Sequence, residues 1–141
     1  MFTVKAFVGD QEYTIHNPKV KALTLGSPYY QKGDNVNGQA EFTVYPTHPY
    51  YKYVQKLTTD IVFYKDGVEK FAGRVLYDDE DSAGSKKVFV EGELAYFNDS
   101  IQRPKVYHNY SVRAYLQDLI DVHNSQVEER KQFVLGRVTV T

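Results

Sequence analysis

"DIVFYKDGVEKFAGRV", residues 60–75, contains two runs rich in β-branched and aromatic residues, joined by Lys65, Asp66 and Gly67. An Asp-Gly pair between such runs is typical of a tight β-hairpin turn, because both turn residues adopt a positive φ. The stretch therefore predicts two antiparallel strands, over 60–64 and 68–77. Similar alternation on both sides of this hairpin indicates that it belongs to a larger sheet.

Five further strands are predicted from alternating apolar residues. They cover residues 2–8, 11–16, 20–25, 40–44 and 87–97. Gly9 and Asp10 provide the first turn, Gly26 begins the Gly-Ser-Pro end of the third strand, and Pro46 ends the fourth because proline lacks a ladder donor. The charged stretch 77–87 is predicted to be a loop. Seven short strands of this kind predict a mainly β fold, an antiparallel barrel or sandwich. We expect an antiparallel β-barrel followed by one or two α-helices.

The hydrophobic period changes from two to 3.6 residues after Pro104, which predicts an amphipathic helix. Ser111 is suited to cap its first turn, Asn124 suits its end, and a shorter helical piece is expected at 126–133. The predicted organisation is a β-barrel domain at 1–100, a helical segment at 101–135 and the start of a further strand at 136–141. We expect that strand to belong to a sheet whose remainder lies further along the native chain.

Charge and composition favour a contact-making protein over several other classes. The 141 residues include 17 basic and 18 acidic side chains, which provide no electrostatic basis for specific nucleic-acid binding. There is no cysteine and no apolar run long enough to span a membrane. The chain instead holds 13 tyrosines and 8 phenylalanines, residue types that suit half-buried sheets and protein interfaces.

Tyrosine is most concentrated in YPTHPYYKYV, residues 45–54. Pro49 suits the first position of a helix, and a helix starting there would place Tyr50 on the same face as Tyr53, Val54 and Leu57. We expect this helix to plug one end of the barrel. The alternative is that every tyrosine belongs to the core or its rim. The tyrosines predicted to contact another chain are Tyr29, Tyr30, Tyr45, Tyr50 and Tyr51.

No set of residues in the sequence has the spacing of a catalytic, cofactor or metal site. The four histidines lack partners at metal-binding spacing, and His123 is expected to be a satisfied core histidine on the helix. The acidic run 78–81 lacks the pattern of a calcium loop and is expected to be solvated. Glu91 and Glu93 are expected on one face of a strand, as an acid and base pair would be or as an ordinary solvent-facing pair is.

The order of several motifs resembles the N-terminal part of phage tail-tip or baseplate hub proteins, the family of tail-associated lysins and prophage tail endopeptidases. The motifs are GQAEFTV at 38–44, HPYY at 48–51, the hairpin at 60–75, VEGELAYFNDSIQRP at 90–104, YSVRAYLQDLIDVHN at 110–124 and FVLGRVTV at 133–140. They span nearly the whole chain. Each motif alone is a loose hydrophobic pattern, so the resemblance depends on their order and spacing.

The resemblance implies a structural role in the virion tail tip, assembled in the cytoplasm of the bacterial host. The expected partners are two further copies, forming a homotrimer in the full-length protein, the hexameric distal tail protein and the tape measure protein. Any lytic activity would lie in a C-terminal region, so this chain is not expected to be an enzyme. Two alternatives remain open: a carbohydrate-binding β-barrel, and a glycoside or peptidoglycan hydrolase fragment that uses Glu91 and Glu93.

Overall fold

A computed structural model describes residues 1–34 and 36–140 and contains a sheet of seven antiparallel strands. The strands are β1 (Phe2–Val8), β2 (Gln11–His16), β3 (Gly26–Gln31), β4 (Gln39–Val44), β5 (Asp60–Lys65), β6 (Val68–Glu80) and β7 (Lys86–Gly92). Their order in the sheet is β2-β1-β5-β6-β7-β4-β3. The prediction of a mainly β fold with seven antiparallel strands and a helical extension is confirmed.

The sheet curls into a half-barrel around an aromatic core. Phe63 of β5 lies near its centre, with its ring centroid 5.5 Å from Phe2, 5.6 Å from Tyr30 and 5.8 Å from Phe71. Tyr30 belongs to edge strand β3, yet its ring stacks on Phe2 of β1 at 6.2 Å. Strands far apart in the hydrogen-bonded order therefore meet through their side chains, which buries the inner face of the sheet.

The hairpin predicted at 60–75 is confirmed by β5 and β6. Asp66 and Gly67 have φ values of 52° and 79°, as a turn that matches the twist of the two strands requires. The hairpin of β1 and β2 is confirmed as well.

The third strand was predicted at residues 20–25, and this position is wrong. Residues 17–25 form turns, held by bonds from the Val20 amide to the Asn17 carbonyl and from the Leu23 amide to the Val20 carbonyl, each 2.9 Å. The strand instead occupies Gly26–Gln31, although it contains Pro28. Proline is tolerated there because β3 is an edge strand, where one row of amides has no ladder partner.

The predicted bounds of β6 and β7 were also wrong. β6 continues to Glu80 because its acidic end lies opposite two lysines, with Asp79 paired to Lys87 and Glu80 to Lys86. The loop predicted at 77–87 therefore shrinks to 81–85.

Strand β7 ends at Gly92 and is followed by a 3₁₀ helix, Glu93–Asp99, where a continuing strand was predicted. The Gly92 amide donates to the Gly38 carbonyl at 3.0 Å, and a Cβ at Gly92 would overlap the Asn37 carbonyl. The close approach of this neighbouring segment explains where the strand stops.

The helix predicted from Pro49 is a single 3₁₀ turn, Tyr51–Tyr53. The Thr59 hydroxyl accepts from the Gln55 amide at 3.1 Å and donates to the Tyr53 carbonyl at 2.5 Å, so it satisfies backbone groups that a longer helix would pair. Leu57, expected on the buried face, has a φ of 60° and is exposed. Local side-chain bonds thus replace the predicted helix.

A first compact unit covers Met1–Glu93 and a second begins at Leu94. In the second unit, α1 (Val112–Asn124) confirms the predicted helix, and the Ser111 hydroxyl caps it by accepting from the Ala114 amide at 3.1 Å. The helical piece predicted at 126–133 is only a 3₁₀ turn, Glu129–Lys131. Residues 136–140 have no assigned helix or strand and Thr141 lies outside the described residues, so the strand expected at 136–141 stays a prediction.

The second unit packs around His123. The ring of Phe97 stacks on Phe133 with centroids 4.1 Å apart and lies 4.8 Å from the imidazole of His123. In the part of the chain that the structure describes, none of the helices has the length and apolar character needed to span a membrane.

Candidate interface site

The five tyrosines predicted to contact another chain fall into two groups. Tyr29 and Tyr45 are exposed, with 45% and 46% of their surface accessible. Tyr30, Tyr50 and Tyr51 are half-buried and pack against the core of the sheet. The first pair therefore offers more accessible surface to a partner than the other three. An interface role for all five tyrosines stays a prediction.

Tyr29 belongs to a row of side chains across the outer face of four strands. Strand pairing places Tyr77 beside Phe89, Phe89 beside Glu41, and Glu41 beside Tyr29. These positions alternate with buried residues such as Val88 of β7, so their side chains point away from the core. We call Tyr77, Phe89 and Tyr29 the aromatic row.

The aromatic row has an exposed tyrosine at each end. Tyr77 is 47% exposed, and its ring is nearly parallel to that of Phe89, with centroids 5.1 Å apart and an angle of 8°. Tyr77 was not predicted as a contact residue because residues 77–87 were interpreted as a loop, and Phe89 was predicted only as part of a strand. The cross-strand pairing of Asp79 and Glu80 with lysines was the signal that could have extended β6 past Tyr77.

Tyr45 extends this surface toward the edge of the sheet. It follows β4, and its ring lies across Gly26 of β3. A Cβ atom at Gly26 would lie 2.5 Å from the Tyr45 hydroxyl and 3.1 Å from the Cβ of Thr43. Glycine at position 26 therefore leaves the space in which the Tyr45 ring rests.

The charges of this face are largely neutralised within it. The Arg74 Nε lies 2.6 Å from Glu91 Oε1, and their side chains are only 10% and 15% exposed. Glu41, which lies between Phe89 and Tyr29, is 3.4 Å from the ammonium of Lys87. Paired charges of opposite sign lower the cost of covering such a face with another protein, since fewer isolated charges lose their hydration.

A shallow groove of about 420 Å³ adjoins the aromatic row. Its apolar floor includes Leu76, Phe89 and Val36, and its rim includes Lys32 and Glu91. Val36 is 57% exposed, so this part of the β3–β4 connection presents apolar surface to solvent. The groove and the aromatic row form one continuous candidate interface, because Phe89 belongs to both.

The prediction that Glu91 and Glu93 lie on one face of a strand is wrong. Glu91 is on β7 in its ion pair with Arg74, whereas Glu93 begins the 3₁₀ helix. Burial raises the pKa of Glu93 above its usual range, and the carboxylates of Glu69 and Asp60 add to that shift. The two carboxyl groups therefore differ in both backbone setting and electrostatic partners.

His123 is a satisfied core histidine, as predicted. Its imidazole is fully buried, with Nδ1 2.7 Å from the Ser100 hydroxyl and Nε2 2.9 Å from the Lys131 carbonyl. Within residues 1–34 and 36–140, no group of three or more His, Asp or Glu side chains is arranged to hold a metal ion.

The aromatic stretch 45–54, which we call the strap, is held to the sheet at two points. The Lys86 ammonium is buried and donates to the carbonyls of Tyr51 at 2.9 Å and Val54 at 3.1 Å, while lying 4.0 Å from the centre of the Tyr51 ring. The Tyr51 hydroxyl donates to the Gly84 carbonyl at 2.6 Å. At the other end, His48 bonds to Ile15 of β2. Tyr50 and Tyr51 of the strap therefore pack against the core of the sheet.

Comparison with known proteins identifies no matching protein-family model and no matching curated protein. Among solved structures, the chain is similar to one from the "Virion of native gene transfer agent (GTA) particle", with a TM-score of 0.47 and 10% identity. The similarity covers 76% of this chain and 44% of that chain, so this chain corresponds to less than half of its length. A likeness at this level carries no conclusion about function.

Proposed function

We propose that this protein is a structural subunit of a phage-type virion tail and acts by binding other subunits through its outer sheet face. The observation that carries the proposal is the aromatic row of Tyr77, Phe89 and Tyr29, which lies across four strands, has an exposed tyrosine at each end and continues into an apolar groove. Exposed aromatic surface of this kind marks interaction sites, because leaving it in water is unfavourable.

The motif order described above supports a more specific role. In this proposal the chain is part of a tail-tip hub, forms a homotrimer in the full-length protein and docks on the distal tail protein hexamer, with the tape measure protein as a further partner. The chain itself is not catalytic, and any lytic activity belongs to a region outside it. Its location is the tail tip of a virion assembled in the host cytoplasm.

A double substitution of the aromatic row tests the assembly role. Tyr29→Ala with Tyr77→Ala removes two exposed rings, and exposed sites usually change the unfolding free energy by no more than about 0.5 kcal/mol each. Size-exclusion chromatography with light scattering would compare the native full-length protein and its variant, alone and mixed with a distal tail protein of the same phage. We expect the wild type to form a complex and the double variant to lose it.

Tyr110→Ala is the matched control, since Tyr110 is 49% exposed but lies outside the aromatic row. This variant should assemble like the wild type. Failure of the wild-type protein to associate with itself or with the distal tail protein would contradict the proposal. Equal loss of assembly in the Tyr110 variant would contradict the choice of surface.

Carbohydrate binding is a second candidate, favoured by the exposed ring of Tyr77 at one end of the aromatic row. A flat aromatic surface is one on which a sugar ring can stack. Tyrosine fluorescence would be recorded with soluble glycans of the bacterial surface. A saturable change in the wild type that disappears with Tyr77→Ala, without any assembly defect in that variant, would favour carbohydrate binding over subunit docking.

A further inference from the structure

Two histidines of the first unit accept hydrogen bonds from backbone amides at the points where connecting segments meet the sheet. His48 lies in the strap and is only 6% exposed, and His16 is the last residue of β2. The Tyr50 amide donates to His48 Nδ1 at 3.1 Å, and the Leu25 amide donates to His16 Nδ1 at 3.1 Å. A nitrogen that accepts such a bond must carry no proton.

The bonds of His48 fix its neutral form. Its Nε2 lies 2.7 Å from the Ile15 carbonyl, which accepts only, so Nε2 carries the proton and donates. A second proton on Nδ1 would face the Tyr50 amide, which is itself a donor. Protonation of His48 therefore breaks a bond inside the strap and places a charge in a buried site.

His16 reinforces this arrangement. The pKa of its imidazole lies below the usual range, first because of burial and then because of the nearby imidazole of His48. The other titratable groups facing this pair are phenols: Tyr50 lies 6.0 Å from the His48 ring, and Tyr13 of β2 lies 4.9 Å from Tyr50. Across residues 1–34 and 36–140, neither imidazole forms an ion pair with a carboxylate that would favour its charged form.

His123 in the second unit shows the opposite arrangement. Its two nitrogens face the Ser100 hydroxyl and the Lys131 carbonyl, and both oxygens can accept a hydrogen bond. A doubly protonated His123 would keep both partners. The bonds of His16 and His48 are therefore sensitive to acid in a way that those of His123 are not.

We propose that His48 and His16 form an acid-sensitive latch. Their protonation releases two segments from the sheet: the part of the strap around His48 and Tyr50, and the turn segment that ends at Leu25. The second part of the strap stays attached, because the Lys86 ammonium keeps its charge in acid and continues to bind the carbonyls of Tyr51 and Val54. The latch is a property of the first unit and does not depend on the assembly role.

Amide NMR of the intact chain from about pH 8 to about pH 5, where histidines titrate, tests the latch. The Tyr50 and Leu25 amides should lose their hydrogen-bonded shifts in step with the titration of the imidazoles. After correction for intrinsic exchange, their opening equilibrium should rise by up to about tenfold per pH unit for each proton taken up. The buried Val75 amide, bonded to the Thr59 carbonyl in the same unit, is the internal control and should not change over this range.

Removing the titration should remove the effect. In a His16→Asn and His48→Asn double variant, the amide oxygen lies near the former Nδ1 and can still accept the backbone amide, but it does not titrate. Its Tyr50 and Leu25 amides should be independent of pH, whereas His108→Gln, which removes an exposed imidazole, should behave like the wild type.

Three outcomes would overturn the latch. They are proton uptake by both imidazoles with unchanged Tyr50 and Leu25 amides, a pH effect that persists in the double variant, and simultaneous loss of the Val75 amide, which indicates unfolding of the whole first unit. Should the double variant fail to fold, the comparison of Tyr50 and Leu25 with Val75 in the wild type still decides the question.

Discussion

At the scale of single residues, the buried Lys86 is the clearest departure from hydrophobic packing in the sheet. Its side chain fills the space between β7 and the strap, and its ammonium bonds two carbonyls next to the Tyr51 ring. A buried cation is tolerated here because carbonyl oxygens and an aromatic face replace its hydration. Lys86 thus connects the strap to the strand that also carries Phe89 of the aromatic row.

Lys86→Met keeps an unbranched apolar side chain, one atom shorter than lysine, but leaves the Tyr51 and Val54 carbonyls without their donor. We expect a loss of about 1–3 kcal/mol in unfolding free energy, the cost of unsatisfied buried groups. Urea denaturation would measure it. Lys87→Met on the same strand is the matched control, because that side chain is 68% exposed, and its change should stay within about 0.5 kcal/mol. Equal losses in the two variants would contradict the anchoring role.

In the second unit, Asp118 holds the side chains of Tyr107 and Lys105. The Tyr107 hydroxyl donates to Asp118 at 2.6 Å, and this bond, with partial burial, raises the pKa of Tyr107 to about 12. The same hydroxyl and the Lys105 ammonium lower the pKa of Asp118. The carboxylate therefore contributes stability above its ordinary pKa, and this contribution is lost as the pH falls through its lowered pKa.

Asp118→Asn should return the Tyr107 pKa toward the ordinary tyrosine value of about 10, because the charged acceptor is lost. NMR titration of ring-labelled tyrosines measures this shift, with Tyr107→Phe identifying the signal. The acid dependence of stability that Asp118 contributes should also disappear in Asp118→Asn. An unchanged Tyr107 titration in that variant would show that the hydrogen bond to Asp118 does not control the phenol.

At the scale of elements, the β5–β6 hairpin depends on two turn residues with positive φ, Asp66 and Gly67. Space is not the constraint at Gly67, since a Cβ there would have no neighbour within 4 Å. The constraint is the backbone conformation, which is unfavourable for residues that carry a Cβ. Asp is one of the few such residues that tolerate it through local hydrogen bonding.

Gly67→Ala should therefore lower the unfolding free energy by about 1–2 kcal/mol through backbone strain alone. Gly67→Asn is the matched variant, because asparagine tolerates the left-handed region, and it should lose clearly less. Urea denaturation of both proteins would compare them. Equal losses would mean that the turn tolerates no side chain for a reason other than its φ.

At the scale of the whole molecule, the near balance of 17 basic and 18 acidic side chains bears on how the chain associates. Four charged groups of the candidate interface are already paired with one another, Arg74 with Glu91 and Glu41 with Lys87. Association through this face should therefore draw on apolar burial more than on long-range attraction.

Raising the salt concentration from about 0.05 M to about 0.5 M shortens the range of electrostatic forces severalfold. We expect the Kd of the complex with the distal tail protein to change little over this range, as measured by calorimetry. A steep weakening with salt would show that charge, and not the aromatic row, drives association.

Local patterns in the sequence were sufficient to predict the class of fold, the two hairpins and the capped helix. Each of these features is decided by residues close together in the chain: the Asp66-Gly67 turn, the Gly9-Asp10 turn, and Ser111 ahead of a 3.6-residue period. Tyr29 and Tyr45 were predicted as contact residues, and both are exposed. Their actual use by a partner stays a prediction.

Only the tertiary structure decided which aromatic residues are free and where several elements end. The start of β3 depends on its position at the sheet edge, the end of β7 on the approach of Gly38, and the aromatic row on the register that places Tyr77 beside Phe89. Hydrogen bonds with Thr59 replace the short helix that was expected from Pro49, and the Tyr51 ring packs against the buried Lys86. These contacts join segments whose pairing is set by side-chain packing, which local sequence patterns do not encode.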